Sequence, residues 1–521
     1  MTPHKRIALN TIATYGRTMF GVVCGVFSTR WVLAALGQED YGLYAVVGGM
    51  VVFLNFLNIQ LAGSISRYYA FSIGQMKRVG TQINDKREVS AWFTTAVIIH
   101  SVIPVLLIAV GLPLGSYVME TSRVAIPPHR LEACLCVWRI VCISSFCGMV
   151  CVPFQAMYTA KQYIAELTIY SFVQTLIKTI FIYYMVVHPR DWLVSYAMGV
   201  AVIVTIPQFV IAIRAVVKFE ECRIIPSALC EVWRIKQVAC YALWTAIGGI
   251  GYIASHQCMN ILLNNFFGAK VAGGGGVAQT VSGEASSLTG ALQGAFQPAI
   301  ATKFGEGDID ATIQMAFLIS KVGTLLTLMF ALPIALEINK LLGLWLETPP
   351  PYSSSFCLCA LAFVVFEKFT CGHLAAVNAS GKIAKFQIVR GLLRMMVIPF
   401  AFLPICFGGG PVAVMMALPV SVLFVDVGDV VIAKQCLGIS VRRWMKELVL
   451  PIGFATTFGV ALGALPRIWF PESVVRLLIT FFVSLGVFAI VSWIVVLSRR
   501  EKRILLEYSM KLLNKSTSAM V

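Results

Sequence analysis

Apolar residues run along this chain in long, weakly interrupted stretches, not in the strict alternation of a half-buried strand or the narrow stripe of a surface helix. A helix crossing the hydrocarbon core of a bilayer needs about 20 mostly apolar residues at a rise of about 1.5 Å each. Fourteen runs meet that length, at about 8–36, 41–64, 91–115, 132–156, 164–187, 192–213, 238–263, 277–300, 313–336, 355–376, 387–407, 411–433, 448–466 and 474–497. The eighth is rich in Gly, Ser and Ala. The pattern predicts an all-α polytopic membrane protein of about 14 transmembrane helices. The first run does not read as a cleaved leader. It is too long, carries Arg17 and Arg30, and ends in Leu36-Gly37-Gln38-Glu39 without a small-residue cleavage pattern.

Composition removes the alternatives. Of 521 residues, 58% are hydrophobic and 12% charged, and the mean hydropathy is +0.83. Soluble domains carry roughly 25% charged residues. Disorder is excluded by the load of 33 Phe, 16 Tyr and 10 Trp. The formal net charge of +17 would suggest nucleic acid in a soluble protein, but here it follows the topology. With the N-terminus inside, and with Arg390 and Arg476, which lie at the very ends of their runs, counted with the adjoining loops, 27 of the 41 Lys and Arg residues fall in inner segments, seven in outer loops and seven deeper within spans. Cytoplasmic loops collect cations. The distribution therefore predicts both termini on the cytoplasmic side of the membrane, with no nucleic-acid partner. Most of the 15 cysteines fall in spans and none has C-x-x-C spacing, so neither disulfides nor zinc are expected.

The chain also repeats itself. Gly37, Gly42 and Gly74 recur as Gly268, Gly273 and Gly305 at a constant offset of 231 residues. A second echo pairs Ala156-Met-Tyr-Thr-Ala-Lys-Gln with Ala376-Val-Asn-Ala-Ser-Gly-Lys. Both sets occupy equivalent places in a six-span unit. The expected domains are a six-helix lobe at 1–220, a cytoplasmic linker at 221–237, a second six-helix lobe at 238–435, two extra spans at 436–498 and a cytoplasmic tail at 499–521. Six is even, so the lobes are parallel repeats with substrate handled between them.

The residues from Arg30 to Tyr44 read Arg-Trp-Val-Leu-Ala-Ala-Leu-Gly-Gln-Glu-Asp-Tyr-Gly-Leu-Tyr and run into Val46-Val-Gly-Gly49. This stretch resembles the opening of bacterial polysaccharide transporters, the Wzx-type oligosaccharide flippases. Arg67-Tyr-Tyr-Ala-Phe-Ser-Ile-Gly74 is similar to the close of their second span. That family belongs to the multidrug/oligosaccharidyl-lipid/polysaccharide (MOP) superfamily. The resemblance implies two six-helix lobes in a V around a central cavity, often with two further helices. It also implies movement of an isoprenoid-diphosphate-linked oligosaccharide from inner to outer leaflet of a bacterial inner membrane for surface polysaccharide biosynthesis. The expected partners are that lipid-linked substrate, the bilayer and glycan-assembly proteins around a monomer.

Charges within the spans point to the chemistry independently. An Arg or Lys at a helix centre costs roughly 2.5–3.5 kcal/mol on insertion scales, so such residues face water, an acid or an anionic ligand. Seven cations (Arg17, Arg30, Arg139, Lys178, Lys321, Lys368 and Arg394) stand against four acids, Glu284, Glu367, Asp426 and Asp429, with Glu132 and Glu166 near span ends. Arginine grips a diphosphate through two parallel hydrogen bonds. Arg30, Arg17, Arg67, Arg139, Lys178 and Lys368 are accordingly the candidate diphosphate ligands. For Arg30 the alternatives are snorkelling to the outer interface or pairing with Glu39 or Asp40, and Arg67 could be a positive-inside anchor. Lys321 and Arg394 lie near span ends, where snorkelling is the expectation. Glu367 and Lys368 project about 100° apart on a continuous helix, each toward a partner on another helix.

Asp426 and Asp429 share a helix face at i,i+3 and suit coupling to H+ or Na+, the alternative being pairing with Lys or Arg. Glu284 and His256 complete the candidate ion-coupling set, although a hydrogen-bonded core histidine is the more ordinary role for His256. Gly273–Gly276 and Gly408–Gly410 lack the Lys-Ser/Thr of a nucleotide loop, so no ATP-driven step and no cofactor are expected. The runner-up reading is a multidrug or organic-cation antiporter, whose cavity would call for acids. A glycan polymerase is weaker, because the longest outer loop, 116–131, holds Glu120 as its only acid. The protein is not read as an enzyme.

Overall fold

The computed structural model describes residues 3–79, 83–121, 124–161, 163–229, 231–305, 308–380, 383–499 and 501–502. It is helical, without a strand among those residues. The helices are α1 (Pro3–Val79), α2 (Ile83–Glu120), α3 (Leu131–Ala160), α4 (Ile164–Val187), α5 (Leu193–Lys218), α6 (Val232–Phe267) and α7 (Ala269–Gly305). There follow α8 (Ile309–Leu336), α9 (Ile338–Leu346), α10 (Ser353–Glu367), α11 (Cys371–Ser380), α12 (Ile383–Met395), α13 (Val397–Cys406) and α14 (Pro411–Met415). The last are α15 (Ala417–Leu437), α16 (Val441–Trp444), a π-helical turn at Met445–Val449, α17 (Leu450–Gly463), α18 (Pro466–Trp469) and α19 (Val474–Val495).

Among the described residues ten helices are long and apolar enough to cross a membrane, or up to twelve if two bent pairs each count as one span. The fourteen apolar runs give fewer candidate spans for two reasons. The single run α1 contains both of the first two, joined through Gly37, and α7, which carries the Gly-, Ser- and Ala-rich run, is not among the helices apolar enough to count.

Packing divides the chain into two compact units. The first comprises Met1–Thr280, Thr348–Ser353 and Gln387–Met415. Within it α1 and α4 run parallel at one register: Phe20 stacks on Phe172 with ring centroids 4.1 Å apart, and Trp31 meets Tyr183 at 5.2 Å. Both pairs are 152 positions apart, so the helices stay level over three turns. Val32 and Leu36 bury against Ile182 and Met185 in the same seam. A second core joins Leu43, Val47 and Val51 to Trp138 and Leu193, and a third joins Ile65, Tyr69 and Phe93 to Tyr158 and Phe219.

The linker segment is clasped to this unit by ion pairs. Arg234 forms a bidentate bond to Glu88 at 2.6 and 2.8 Å and also binds Glu231. Lys86 meets Glu220 at 2.7 Å, and Lys161 meets Glu221 at 2.6 Å. The Ile225 N–H donates to Thr94 Oγ1 at 2.9 Å.

The glycine repeat has a backbone counterpart in the same unit. Gly37 (φ 76°, ψ 172°) and Gly268 (φ 87°, ψ 165°) adopt nearly the same conformation, in a region open essentially to glycine. Five residues on, Gly42 and Gly273 meet. A Cβ on Gly42 would lie 2.1 Å from the Ala269 carbonyl oxygen, and one on Gly273 would lie 3.0 Å from that of Gln38. Residues 38 and 269 are themselves 231 apart, so the crossing is reciprocal.

The second unit comprises Val281–Glu347, Ser354–Phe386 and Met416–Val521. α8 is mostly buried and packs against α11, α17 and α19. Small residues permit close approach, as expected where apolar packing alone must hold helices together. A Cβ on Gly372 would sit 1.9 Å from the Ala316 carbonyl, and Gly463 faces Ser484 and Leu336. Glu337, between α8 and α9, accepts hydrogen bonds from Arg476 Nη2 at 2.8 Å and Thr480 Oγ1 at 3.1 Å, both on α19.

Candidate functional site

In the first unit, the register of α1 against α4 positions two of the candidate cations. Arg30 lies level with Ile182, one turn above Lys178, which sets the two about 6 Å apart in height on neighbouring helices. Both are half-buried. Arg30 has a contact of its own, whereas Lys178 takes no ion-pair partner among the described residues. Arg17 is exposed on α1 and Arg139 is exposed on α3 one turn from the exposed Ile143, each also without a described ion pair. Asp40, an alternative partner for Arg30, binds Arg130 at 2.8 Å, and Arg130 reaches on to Asp191 at 2.5 Å. That contact holds the Asp191 carboxyl below its ordinary range. The side chain of Arg67 lies outside the described residues.

His256 belongs to a second group in this unit. Its ring lies 4.9 Å from Tyr252, and the Arg394 guanidinium lies over the same Tyr252 ring at 4.9 Å. Its carbonyl accepts from Gln279 Nε2 at 3.4 Å. The geometry depends on a close crossing of α6 and α12, where a Cβ on Gly251 would fall 2.5 Å from the Gly391 carbonyl. Arg394 is only 7% exposed, and Arg390, on the same helix face at i,i+4, only 6%. Snorkelling of Arg394, expected from its place near a span end, therefore does not occur. Arg390 reads as a loop cation by charge count, yet it lies inside α12. These two arginines were invisible as a pair because burial on α12 depends on helices 140 residues away in sequence.

In the second unit, the predicted carboxylate pair is brought together by a residue that sequence reasoning missed. Thr370 Oγ1 lies 2.8 Å from Asp426 Oδ1 and 3.1 Å from Asp429 Oδ2, with all three side chains buried. A break in span 10 places Thr370 there. The N–H groups of Lys368, Phe369 and Cys371 turn back to carbonyls three residues earlier, which tightens the chain between α10 and α11. Glu367 and Lys368 are consequently not successive positions on one straight helix. Lys368 sits buried in the break, without an ion-pair partner among the described residues. A hydroxyl has one proton to donate and two lone pairs to accept with. It can donate to one carboxylate only, so a proton on the other carboxyl, donated to Thr370 Oγ1, completes both contacts. The pair with its hydroxyl is chemically able to hold and release one proton. Glu284, half-buried on α7, makes no described ion pair and no described contact with this group.

Lys321 corrects a further expectation. It does not snorkel but is 4% exposed, with its ammonium on both carboxylate oxygens of Glu501 at 3.0 and 3.1 Å.

No protein-family model and no curated protein matches the sequence. Solved structures do match the fold. A MOP superfamily transporter from Pyrococcus furiosus, described by the reverse polarity of its binding pocket, aligns with a TM-score of 0.62 at 13% identity over 86% of this chain and 97% of its own. The lipid II flippase MurJ, in an inward closed conformation, aligns with a TM-score of 0.62 at 14% identity over 94% and 98%. An inward-facing multidrug resistance MATE family transporter aligns with a TM-score of 0.62 at 12% identity over 82% and 98%. The chain thus has the all-helical fold of the MOP superfamily transporters.

Proposed function

We propose that this protein is a secondary transporter that flips an isoprenoid-diphosphate-linked oligosaccharide from the inner to the outer leaflet by alternating access. The observation that carries the reading is the set of intramembrane cations without ion pairs among the described residues, Arg17, Arg139, Lys178 and Lys368, with Arg30 level with Lys178. Uncompensated cations in apolar helices are costly unless a ligand supplies the counter-charge, and a diphosphate supplies it. The lipid II flippase among the structural neighbours handles a lipid-linked substrate, which fits this reading. This reading puts both termini in the cytoplasm of a bacterial cell, and with them the linker network of Glu88, Arg234 and Lys86. A multidrug antiporter is the second reading, supported by the MATE neighbour and by the buried Asp426–Asp429 pair.

Deleting the encoding gene distinguishes the two. The flippase reading expects lipid-linked glycan to accumulate in the inner leaflet with unchanged drug sensitivity. Drug sensitivity rising without an accumulated glycan lipid would reject it. Within the protein, Arg30→Glu is expected to lower glycan export by about 10- to 100-fold, since hydrogen bonds to charged groups contribute about 1.5–3 kcal/mol. Normal export at normal expression would remove Arg30 from the site.

Coupling to an ion gradient is assigned to Asp426, Asp429 and Thr370. Asp426→Asn with Asp429→Asn, and separately Thr370→Val, are expected to abolish the response of vesicle transport to an imposed pH or sodium gradient. Downhill exchange should persist. A gradient response equal to that of the unaltered protein would show that the pair is structural only.

A further inference from the structure

The second unit contains a cavity of about 550 Å³ where α8, the π-helical turn, α17 and the residues after α19 come together. Its walls are apolar, from Phe317, Leu318, Pro451 and Val496. Its polar rim carries Lys321, Arg443, Lys446, Glu447 and Glu501. The charges are not equivalent. Glu501 is committed to Lys321 and to its own segment: its carboxylate accepts from the Ser498 N–H at 2.8 Å, while its N–H donates to Ser498 Oγ at 3.3 Å, a capping box. Burial acts to raise the Glu501 pKa, but the Ser498 and Lys321 hydrogen bonds leave it below the ordinary carboxylate range, so the carboxylate stays charged. Arg443 lies over the Phe317 ring at 4.9 Å and binds Glu447 at 2.8 Å. Lys446 is exposed and has no acid partner among the described residues.

The π-helical turn is a second, independent signal. Met445–Val449 inserts one wide turn into an otherwise α-helical run, and such turns are frequent at functional sites. Here it carries Lys446 and Glu447, both on the cavity wall. The cavity therefore combines an apolar wall at the ends of three long apolar helices with a rim whose surplus charge is one cation. Those features match a molecule with an acyl part and a phosphate.

We infer that this cavity is a binding site for the phosphate-bearing headgroup of an anionic phospholipid, with Lys446 as its principal contact and Arg443 as the second. The acyl chains leave along the apolar wall of α8 and α17. The site shares no residue with the proposed translocation chemistry and would let the composition of the surrounding leaflet act on the helices at the start of α8.

The test uses the full-length purified protein in detergent with equimolar phosphatidylglycerol and phosphatidylcholine, the bound lipid being counted by native mass spectrometry. Phosphatidylglycerol should be retained preferentially. Lys446→Gln should reduce that preference about fivefold, the effect of one cation at a lipid surface. Arg443→Gln should reduce it less, because Arg443 is already paired, and Lys446→Arg should keep it. An unchanged preference in Lys446→Gln, or no preference in the unaltered protein, would overturn the site. Displacement of the lipid by an equal concentration of sn-glycerol 1-phosphate would overturn the lipid assignment in favour of a soluble phosphate. The readout is lipid retention, so failure here is distinguishable from failure of the transport reading.

Discussion

Arg476→Leu is expected to destabilise the protein by about 3–5 kcal/mol, the cost of leaving one partner of a buried ion pair alone. Glu337 would bear that cost. Its side chain is 2% exposed, and its carboxylate takes Arg476 Nη2 on one oxygen and Thr480 Oγ1 on the other. With the guanidinium gone, a single hydroxyl faces a buried charge. Arg476 also approaches Glu472 at 3.6 Å, but Glu472 is 72% exposed and water can replace that contact. The pair ties the end of α8 to α19, alongside the Gly463 crossing with Ser484. Loss of the pair should therefore release α19 before the rest of the second unit. Thermal unfolding in detergent, read by size-exclusion fluorescence, checks the magnitude. A double replacement, Glu337→Gln with Arg476→Met, should recover most of the loss, because it removes both charges together. Equal destabilisation in the single and double variants would show that shape, not charge, fixes this joint.

Gly42→Ala is the second large effect. Its new methyl would stand 2.1 Å from the Ala269 carbonyl oxygen, which is backbone and cannot rotate away. Overpacking of this kind costs about 1–3 kcal/mol, and here relief requires α1 to part from the start of α7. Gly273→Ala is expected to cost less. Its Cβ would meet the Gln38 carbonyl at 3.0 Å, a contact that a shift of a few tenths of an ångström relieves. The two should be less than additive when combined, since the helices need part only once. The order of the single variants in a thermal-unfolding series checks the reciprocal crossing. Gly273→Ala proving more damaging than Gly42→Ala would contradict it. The neighbouring bonds of Asn264 Nδ2 to the Ala125 carbonyl at 2.6 Å, and of the Ala125 N–H to Asn265 Oδ1 at 2.8 Å, hold the same end of the unit.

How far the site was legible depended on how local its signal is. Asp426 and Asp429 are three residues apart on one helix, so their shared face follows from helical spacing alone. Thr370, which joins them, lies 56 residues from Asp426, and one threonine in an apolar run carries no signal. The level placement of Arg30 with Lys178 was equally hidden, because it depends on the α1–α4 register.

The sequence by itself determined the membrane class, because runs of about 20 apolar residues have few other stable homes. It determined the surplus of intramembrane cations over acids, which is a count. It also determined the 231-residue glycine repeat, because a backbone conformation open only to glycine leaves a mark in one dimension. Tertiary structure alone decided which cations are neutralised. Lys321 found Glu501 across 180 positions, and Arg476, an outer-loop cation by its place in the chain, became half of a buried pair with Glu337. The physical reason is that a charge's cost depends on what surrounds it. Hydropathy records the transfer of each residue singly, while pairing, burial and hydrogen bonding are properties of chains brought side by side.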